Sequence, residues 1–93
     1  MTTKQQIVRT LSRMLELMEL YGRGHWYKGI KRLLNRVEMG QDIFSSYNSI
    51  CGGMGSFSDY VFAQGSDLQQ WSADMSEFDQ LRSELYDLVY RER

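Results

Sequence analysis

Apolar residues recur three and four positions apart in the first third of the chain, which is the spacing that places them on one face of an α-helix. This pattern predicts a helix over residues 3–21, with Thr3 and Gln6 as a capping box at its start and Gly22 at its end. A second apolar stripe predicts a helix over residues 25–39. Because only a few residues separate the two helices, we expect them to form an antiparallel hairpin.

Glycine residues interrupt the helical pattern in the middle of the chain. Asp42 is a candidate N-cap for a short helix over residues 43–50, after which the glycine-dense segment 51–56 breaks the pattern. Residues 57–63 are ambiguous, since they fit either one more helical turn or a short extended piece. We expect the glycine segment to be a structural turn that positions the last helix, and contact with a partner is the alternative.

The last helix is predicted over residues 76–91 from a further apolar stripe. Its start can be capped by Ser76 with Asp79 or by Asp74 with Glu77, and apolar residues before position 72 could extend the same face toward the N-terminus. Together these elements predict a single all-α domain over residues 1–93. The expected architecture is a small helical bundle made of a hairpin, a short third helix, a glycine-rich crossover and a C-terminal helix.

Composition narrows the class of protein. Hydrophobic residues make up 42% of the 93 residues and charged residues 25%, which is ordinary for a globular domain. The single cysteine, Cys51, rules out an intrachain disulfide and gives no reason to place the chain in an oxidising compartment. Residues 1–6 are polar, unlike a secretion signal, and no apolar run is long enough to span a bilayer. We therefore expect a cytoplasmic protein that has no contact with the membrane.

Charge is divided unevenly along the chain. Residues 1–36 hold eight basic and two acidic residues, a net of +6, whereas residues 37–93 hold three basic and ten acidic residues, a net of −7. The two halves could neutralise each other by packing together. The alternative that we develop is that charged faces remain outward for a partner. The candidate partner-binding residues lie on the second and last helices, mostly off the apolar stripes: Lys28, Lys31, Arg32, Arg36, Asp79, Glu84 and Asp87.

No group of residues predicts catalysis, a cofactor or a metal site. His25 and Cys51 could act as base and nucleophile, but nothing completes a triad with recognisable spacing. One histidine and one cysteine do not form a closed zinc site. The glycine segment lacks the lysine of a phosphate-binding loop, and the acidic Asp59 follows it. We therefore expect a protein that is not an enzyme and that has no cofactor and no metal.

Two short motifs give the chain a family resemblance. Residues 21–26 read Tyr-Gly-Arg-Gly-His-Trp, and residues 52–59 read Gly-Gly-Met-Gly-Ser-Phe-Ser-Asp. Over about residues 7–90, the chain resembles an uncharacterised family of small bacterial helical proteins. These proteins share a helical hairpin that ends in a Tyr-Gly-x-x-x-Trp-like turn, a Gly-Gly-Met-Gly-Ser-aromatic-x-Asp segment and a closing helix. The resemblance implies the fold and no activity, and it associates the chain with accessory factors of phages and bacterial conflict systems.

The function that we expect is protein binding without catalysis, as in an inhibitor or immunity-like protein of a phage or a bacterial conflict system. Twelve aromatic residues are too many to face one small core, and surface tyrosine and tryptophan are typical of protein interfaces. The alternative is a nucleic-acid-binding accessory protein that uses the basic second helix, where Trp26 and Tyr27 accompany the lysines and arginines. A protein partner is expected, and the pattern is also compatible with a homo-oligomer.

Overall fold

Four α-helices make up the computed structural model, which describes residues 2–51, 60–62 and 67–92. They are α1 (Thr3–Leu20), α2 (Tyr27–Glu38), α3 (Phe44–Cys51) and α4 (Leu68–Glu92). These ranges contain no strand, so the predicted all-α bundle is confirmed. Among the described residues, no helix is both long and apolar enough to cross a membrane.

The first helix lies between α2 and α4 and packs against both of them. Both neighbours run antiparallel to α1. Glu19 near the end of α1 lies beside Tyr27 at the start of α2. The hydroxyl of Tyr21, just after α1, donates a hydrogen bond to Asp74 in the first half of α4. Helix α1 is therefore covered on two sides. This explains why the buried residues of α1, which include Leu15, Leu17 and Met18, extend around more than one side of the helix. The short α3 contacts α2 and α4 and so bridges the two outer helices.

Phe62 lies at the centre of the core and is 2% exposed. Its ring stacks on Tyr21, with 4.6 Å between the ring centres, and lies 4.7 Å from the ring of Phe78. Residues 60–62 have no regular structure, so of the predicted segment 57–63 these three are neither helix nor strand. The rest of that segment, and the glycine turn at 52–56, lie outside the described residues.

Two side chains of α4 hold the segment 60–62 in place through its backbone carbonyls. The indole N–H of Trp71 donates a hydrogen bond to the carbonyl oxygen of Phe62 at 3.1 Å. The guanidinium of Arg82 donates to the carbonyl oxygen of Tyr60 at 2.8 Å. Because a buried backbone carbonyl needs a partner, these bonds allow an irregular segment to enter the core.

The hairpin turn between α1 and α2 has an unusual backbone. Gly22, Arg23 and Gly24 all have positive φ, at 85°, 70° and 71°. The N–H of Arg23 reaches back to the carbonyl of Met18 at 2.8 Å, which is the 6→1 bond of a Schellman cap. Gly22 therefore ends α1 as predicted. Gly40, with φ of 78°, ends α2 in the same way.

The predicted start of α1 at residue 3 is confirmed but its predicted cap is wrong, and α2, α3 and α4 begin at residues 27, 44 and 68 and not at 25, 43 and 76. The capping box of α1 is formed by Thr2 and Gln5, one residue earlier than expected, with hydrogen bonds of 2.9 and 3.1 Å. Helix α4 begins at residue 68 and not at 76, and its first turn is capped by Asp67, whose carboxylate accepts the N–H of Gln70 at 3.0 Å. Because α4 starts earlier, Trp71 packs against the core. The residues proposed as caps, Asp74 and Ser76, therefore lie inside the helix.

Candidate partner-binding surfaces

The four basic residues predicted to face outward on the second helix do lie on one exposed side of α2. They form what we call the α2 basic face: Lys28, Lys31, Arg32 and Arg36. The opposite side of the helix is buried, with Ile30, Leu33 and Val37 each at most 5% exposed. Because these apolar residues recur at helical spacing, burying them turns the basic residues to the solvent.

The basic residues of this face form no ion pair with any described residue. Lys31 lies 5.9 Å from the ring centre of Tyr27, at the outer limit of a cation–π contact. Glu38, the one acid in α2, is also exposed. The positive charge of the α2 basic face is therefore not neutralised within the described part of the chain.

The acids of α4 have several different structural roles. Asp74 is 7% exposed and accepts hydrogen bonds from the hydroxyl of Tyr21 at 2.7 Å and from Nε2 of Gln70 at 3.0 Å. The bond to Asp74 raises the pKa of Tyr21 to about 12, because a carboxylate nearby disfavours a phenolate. Asp74 therefore ties the end of α1 to α4.

A second acid forms the link between the oppositely charged halves of the chain. Glu77 accepts two hydrogen bonds from the guanidinium of Arg13, at 2.7 and 3.0 Å. These bonds lower the pKa of Glu77 and raise that of Arg13, since each charge favours the other. Among described residues this is the only ion pair between residues 1–36 and 37–93. Where the structure describes the chain, one ion pair therefore joins the two halves.

The three acids predicted to bind a partner do not share one face. Asp79 pairs with Arg82 on its own helix. Glu84 and Asp87 are exposed, form no ion pair with a described residue, and line a groove on the α1 side of α4. Because residues five apart on a helix point in different directions, Asp79 and Glu84 could not both face α1.

The groove between α1 and α4, here called the α1–α4 groove, has a volume of about 510 Å³. Leu81 and Leu88 are its apolar lining, and charged side chains from both helices line it too. Arg9 comes from α1, and Arg91 from α4, and neither was a candidate in the sequence. Their charge could have been noticed, but only packing shows that they share a groove with the acids of α4.

An exposed aromatic cluster lies where α3 meets α4. Tyr86 is 52% exposed, and its ring centre is 4.4 Å from that of Tyr90, which in turn lies 5.0 Å from Phe44. The hydroxyl of Tyr90 donates to Oδ1 of Asn48 at 3.0 Å. Of the aromatic residues expected to be surplus to the core, Tyr86 and Tyr90 are therefore at the surface.

The aromatic residues at the start of the second helix are largely covered, although Lys31 lies over the ring of Tyr27. Tyr27 is 8% exposed, and its hydroxyl donates to Glu19 at 2.8 Å, which raises the pKa of Tyr27. Trp26 precedes the helix and is partly buried against the core. The predicted mixture of basic and aromatic side chains is therefore not found on one exposed surface.

His25 and Cys51 are the two residues that could act as base and nucleophile. His25 is exposed and its ring lies edge-on to Trp26, with 5.0 Å between the centres. The side chain of Cys51 lies outside the described residues. Within the described part of the chain, no three His, Cys, Asp or Glu side chains lie together in a way that could hold a metal ion.

The fold and these surfaces define a small all-α protein with charged outer faces. Residues 19–70 match a family model described as a domain of unknown function (DUF6966), and this match covers more than half of the chain. The chain belongs to that family. The matched range includes the hairpin turn and the whole of α2, and hence the α2 basic face. No curated protein and no solved structure matches the chain.

Proposed function

We propose that this protein is a small non-enzymatic binding protein that docks an acidic surface of another protein on the α2 basic face. The observation that carries the proposal is the set of four exposed cations on one side of a single helix, none of them paired with a described residue. Such a surface steers an oppositely charged partner and fixes its orientation.

The spacing of these cations costs stability in the free protein. Lys28, Arg32 and Arg36 follow one another at intervals of four residues, so their side chains are neighbours on the helix surface. Like charges at this spacing destabilise a helix by about 0.2–0.5 kcal/mol per pair. A partner that supplies carboxylates would remove this repulsion, and this gives a physical reason for concentrating the charge.

A protein partner fits the geometry better than a nucleic acid. Single-stranded nucleic acids are held by aromatic rings that alternate with basic side chains, and here Tyr27 is buried beneath the basic face. The exposed rings lie elsewhere, at Tyr86 and Tyr90, and such rings are typical of protein interfaces. A small chain that acts by covering a surface of its target would be an inhibitor or immunity-like protein, and we include this role in the proposal.

The test is a charge reversal on the α2 basic face. Protein that carries Lys31→Glu, Arg32→Glu and Arg36→Glu is used as bait in the native host beside the wild type, and co-purified proteins are identified. A control carries Lys4→Glu, a reversal of an exposed cation on α1 that lies outside both the α2 basic face and the groove between α1 and α4. Circular dichroism confirms that all three proteins are folded. We expect the α2 variant to lose an acidic partner that the wild type and the control retain.

Two outcomes would contradict the proposal. One is an unchanged set of partners for the α2 variant. The other is tight binding of the wild type to duplex DNA with an affinity that falls steeply as salt is added, since counterion release is the mark of phosphate contacts. The second outcome would assign the same face to nucleic acid.

A further inference from the structure

We propose that two copies of this chain associate through the α1–α4 groove, about a two-fold axis that runs along the groove. The surface is separate from the α2 basic face, so the inference goes beyond the proposed function. It starts from the charges that line the groove. Arg9 stands on α1, and Glu84 and Asp87 stand on α4, all exposed and none of them paired with a described residue.

The charges of the groove are arranged so that the surface complements itself. Helices α1 and α4 are antiparallel, and the pair Arg13–Glu77 sets their register, so that Arg9 and Glu84 lie at similar heights on opposite walls. Rotation by 180° about an axis parallel to the groove places α1 of one copy over α4 of the other and preserves those heights. Arg9 of each copy then meets Glu84 and Asp87 of the other. A two-fold contact uses the same patch twice, so two equivalent sets of ion pairs form.

The same rotation brings no like charges together along the groove. By the register that Arg13 and Glu77 set, Arg91 lies at the end of the groove, about 10 Å beyond the level of Gln6, so no groove-lining cation of the second copy lies opposite it. Leu81 and Leu88 supply an apolar strip between the charged walls. By contrast, the α2 basic face cannot contact its own symmetry copy without repulsion, because every charge in its centre is positive.

The groove exposes polar and apolar surface in similar amounts, so there is no large apolar contact area to strengthen the dimer. We expect a dissociation constant on the order of 10–100 µM, typical of a small and transient interface. The ion pairs lie at the rim, where mobile ions screen them, so dimerisation weakens as salt is raised. Sedimentation velocity over a range of protein and salt concentrations measures both properties.

Two charge-reversed variants test the geometry. The first carries Arg9→Glu, and the second carries Glu84→Arg with Asp87→Arg. In either variant alone like charges face each other, so we expect the dimer dissociation constant to rise by about tenfold or more. In a mixture of the two, both contacts become oppositely charged again, and we expect the heterodimer to form with roughly the affinity of the wild type.

The control variant carries Lys28→Glu and Arg32→Glu on the α2 basic face and should dimerise like the wild type. Thermal melting followed by circular dichroism shows whether each variant is folded. The proposal is overturned if the wild type remains monomeric at about ten times the expected dissociation constant. It is also overturned if the mixed variants stay monomeric, or if the control variant loses the dimer. Because the control tests a different face, failure of the dimer leaves the proposed function of α2 open to its own test.

Discussion

Replacing Gly24 with alanine should destabilise the protein for two reasons that can be separated. The first is the backbone, since Gly24 has φ of 71°, a conformation that costs an L-residue about 1–2 kcal/mol. The second is contact with Tyr60. A Cβ at Gly24 would lie within 2.4 Å of the tyrosine hydroxyl and 3.1 Å of two ring carbons, so the ring would have to move.

The ring of Tyr60 has little room to retreat. It lies edge-on to Phe62 and Phe78, with ring centres 5.8 and 5.9 Å away, and its carbonyl is held by Arg82. Overpacking of this kind costs typically 1–3 kcal/mol. Gly24→Ala should therefore lower the free energy of unfolding by about 2–5 kcal/mol, the sum of the backbone and contact costs.

Gly22→Ala is the matched control for the backbone cost. Its φ is 85°, and a Cβ there would meet nothing within 4 Å. It should therefore cost only about 1–2 kcal/mol. Urea unfolding monitored by circular dichroism compares the two variants, and a difference of 1 kcal/mol corresponds to a shift in Tm of about 4–8 °C at this size. Equal losses for Gly22→Ala and Gly24→Ala would refute the contact with Tyr60.

Three further predictions follow from single contacts. Gly29→Ala should stabilise the protein by about 0.5–1 kcal/mol, because Gly29 is within α2 and a Cβ would meet Ile50 at 3.5 Å and Trp26 at 4.0 Å, both ordinary contact distances; a lower midpoint of urea unfolding would contradict this. The lowered pKa of Glu77 means that its pairing with Arg13 stabilises the fold above the usual carboxyl pKa and is lost as pH falls through the folded value. Arg13→Gln should reduce the loss in free energy of unfolding between pH 7 and pH 3. The reduction should be no more than about 1 kcal/mol, because the pair is exposed, and urea unfolding at several pH values in this range measures it. The pKa of Tyr21, raised to about 12, makes the folded state hold the phenol proton more tightly, so stability is fully present below pH 10 and declines toward pH 12. Tyr21→Phe should reduce this alkaline decline in unfolding experiments, and an unchanged decline would count against the hydrogen bond.

Local pattern was sufficient to predict that four helices form and that the α2 basic face points outward, but not where α4 begins. Burial of Ile30, Leu33 and Val37 at helical spacing leaves only one side of α2 for its lysines and arginines, whatever the helix packs against. Gly22 likewise marks the end of α1 through a property of its own backbone, since glycine adopts positive φ at little cost. Such features depend on residues within a few positions of one another, and the sequence displays them directly.

The roles of the α4 acids depended on tertiary structure. Asp74, Glu77 and Asp79 look alike in sequence, yet one is buried against Tyr21, one pairs with Arg13 and one pairs within its own helix. The partners of the first two lie 53 and 64 positions away along the chain. A periodic pattern shows that a face is covered but does not show which distant side chain covers it. The sequence by itself therefore determined the helices and the basic face, while only packing decided which acids remain free at the α1–α4 groove, because charges pair through space and not along the chain.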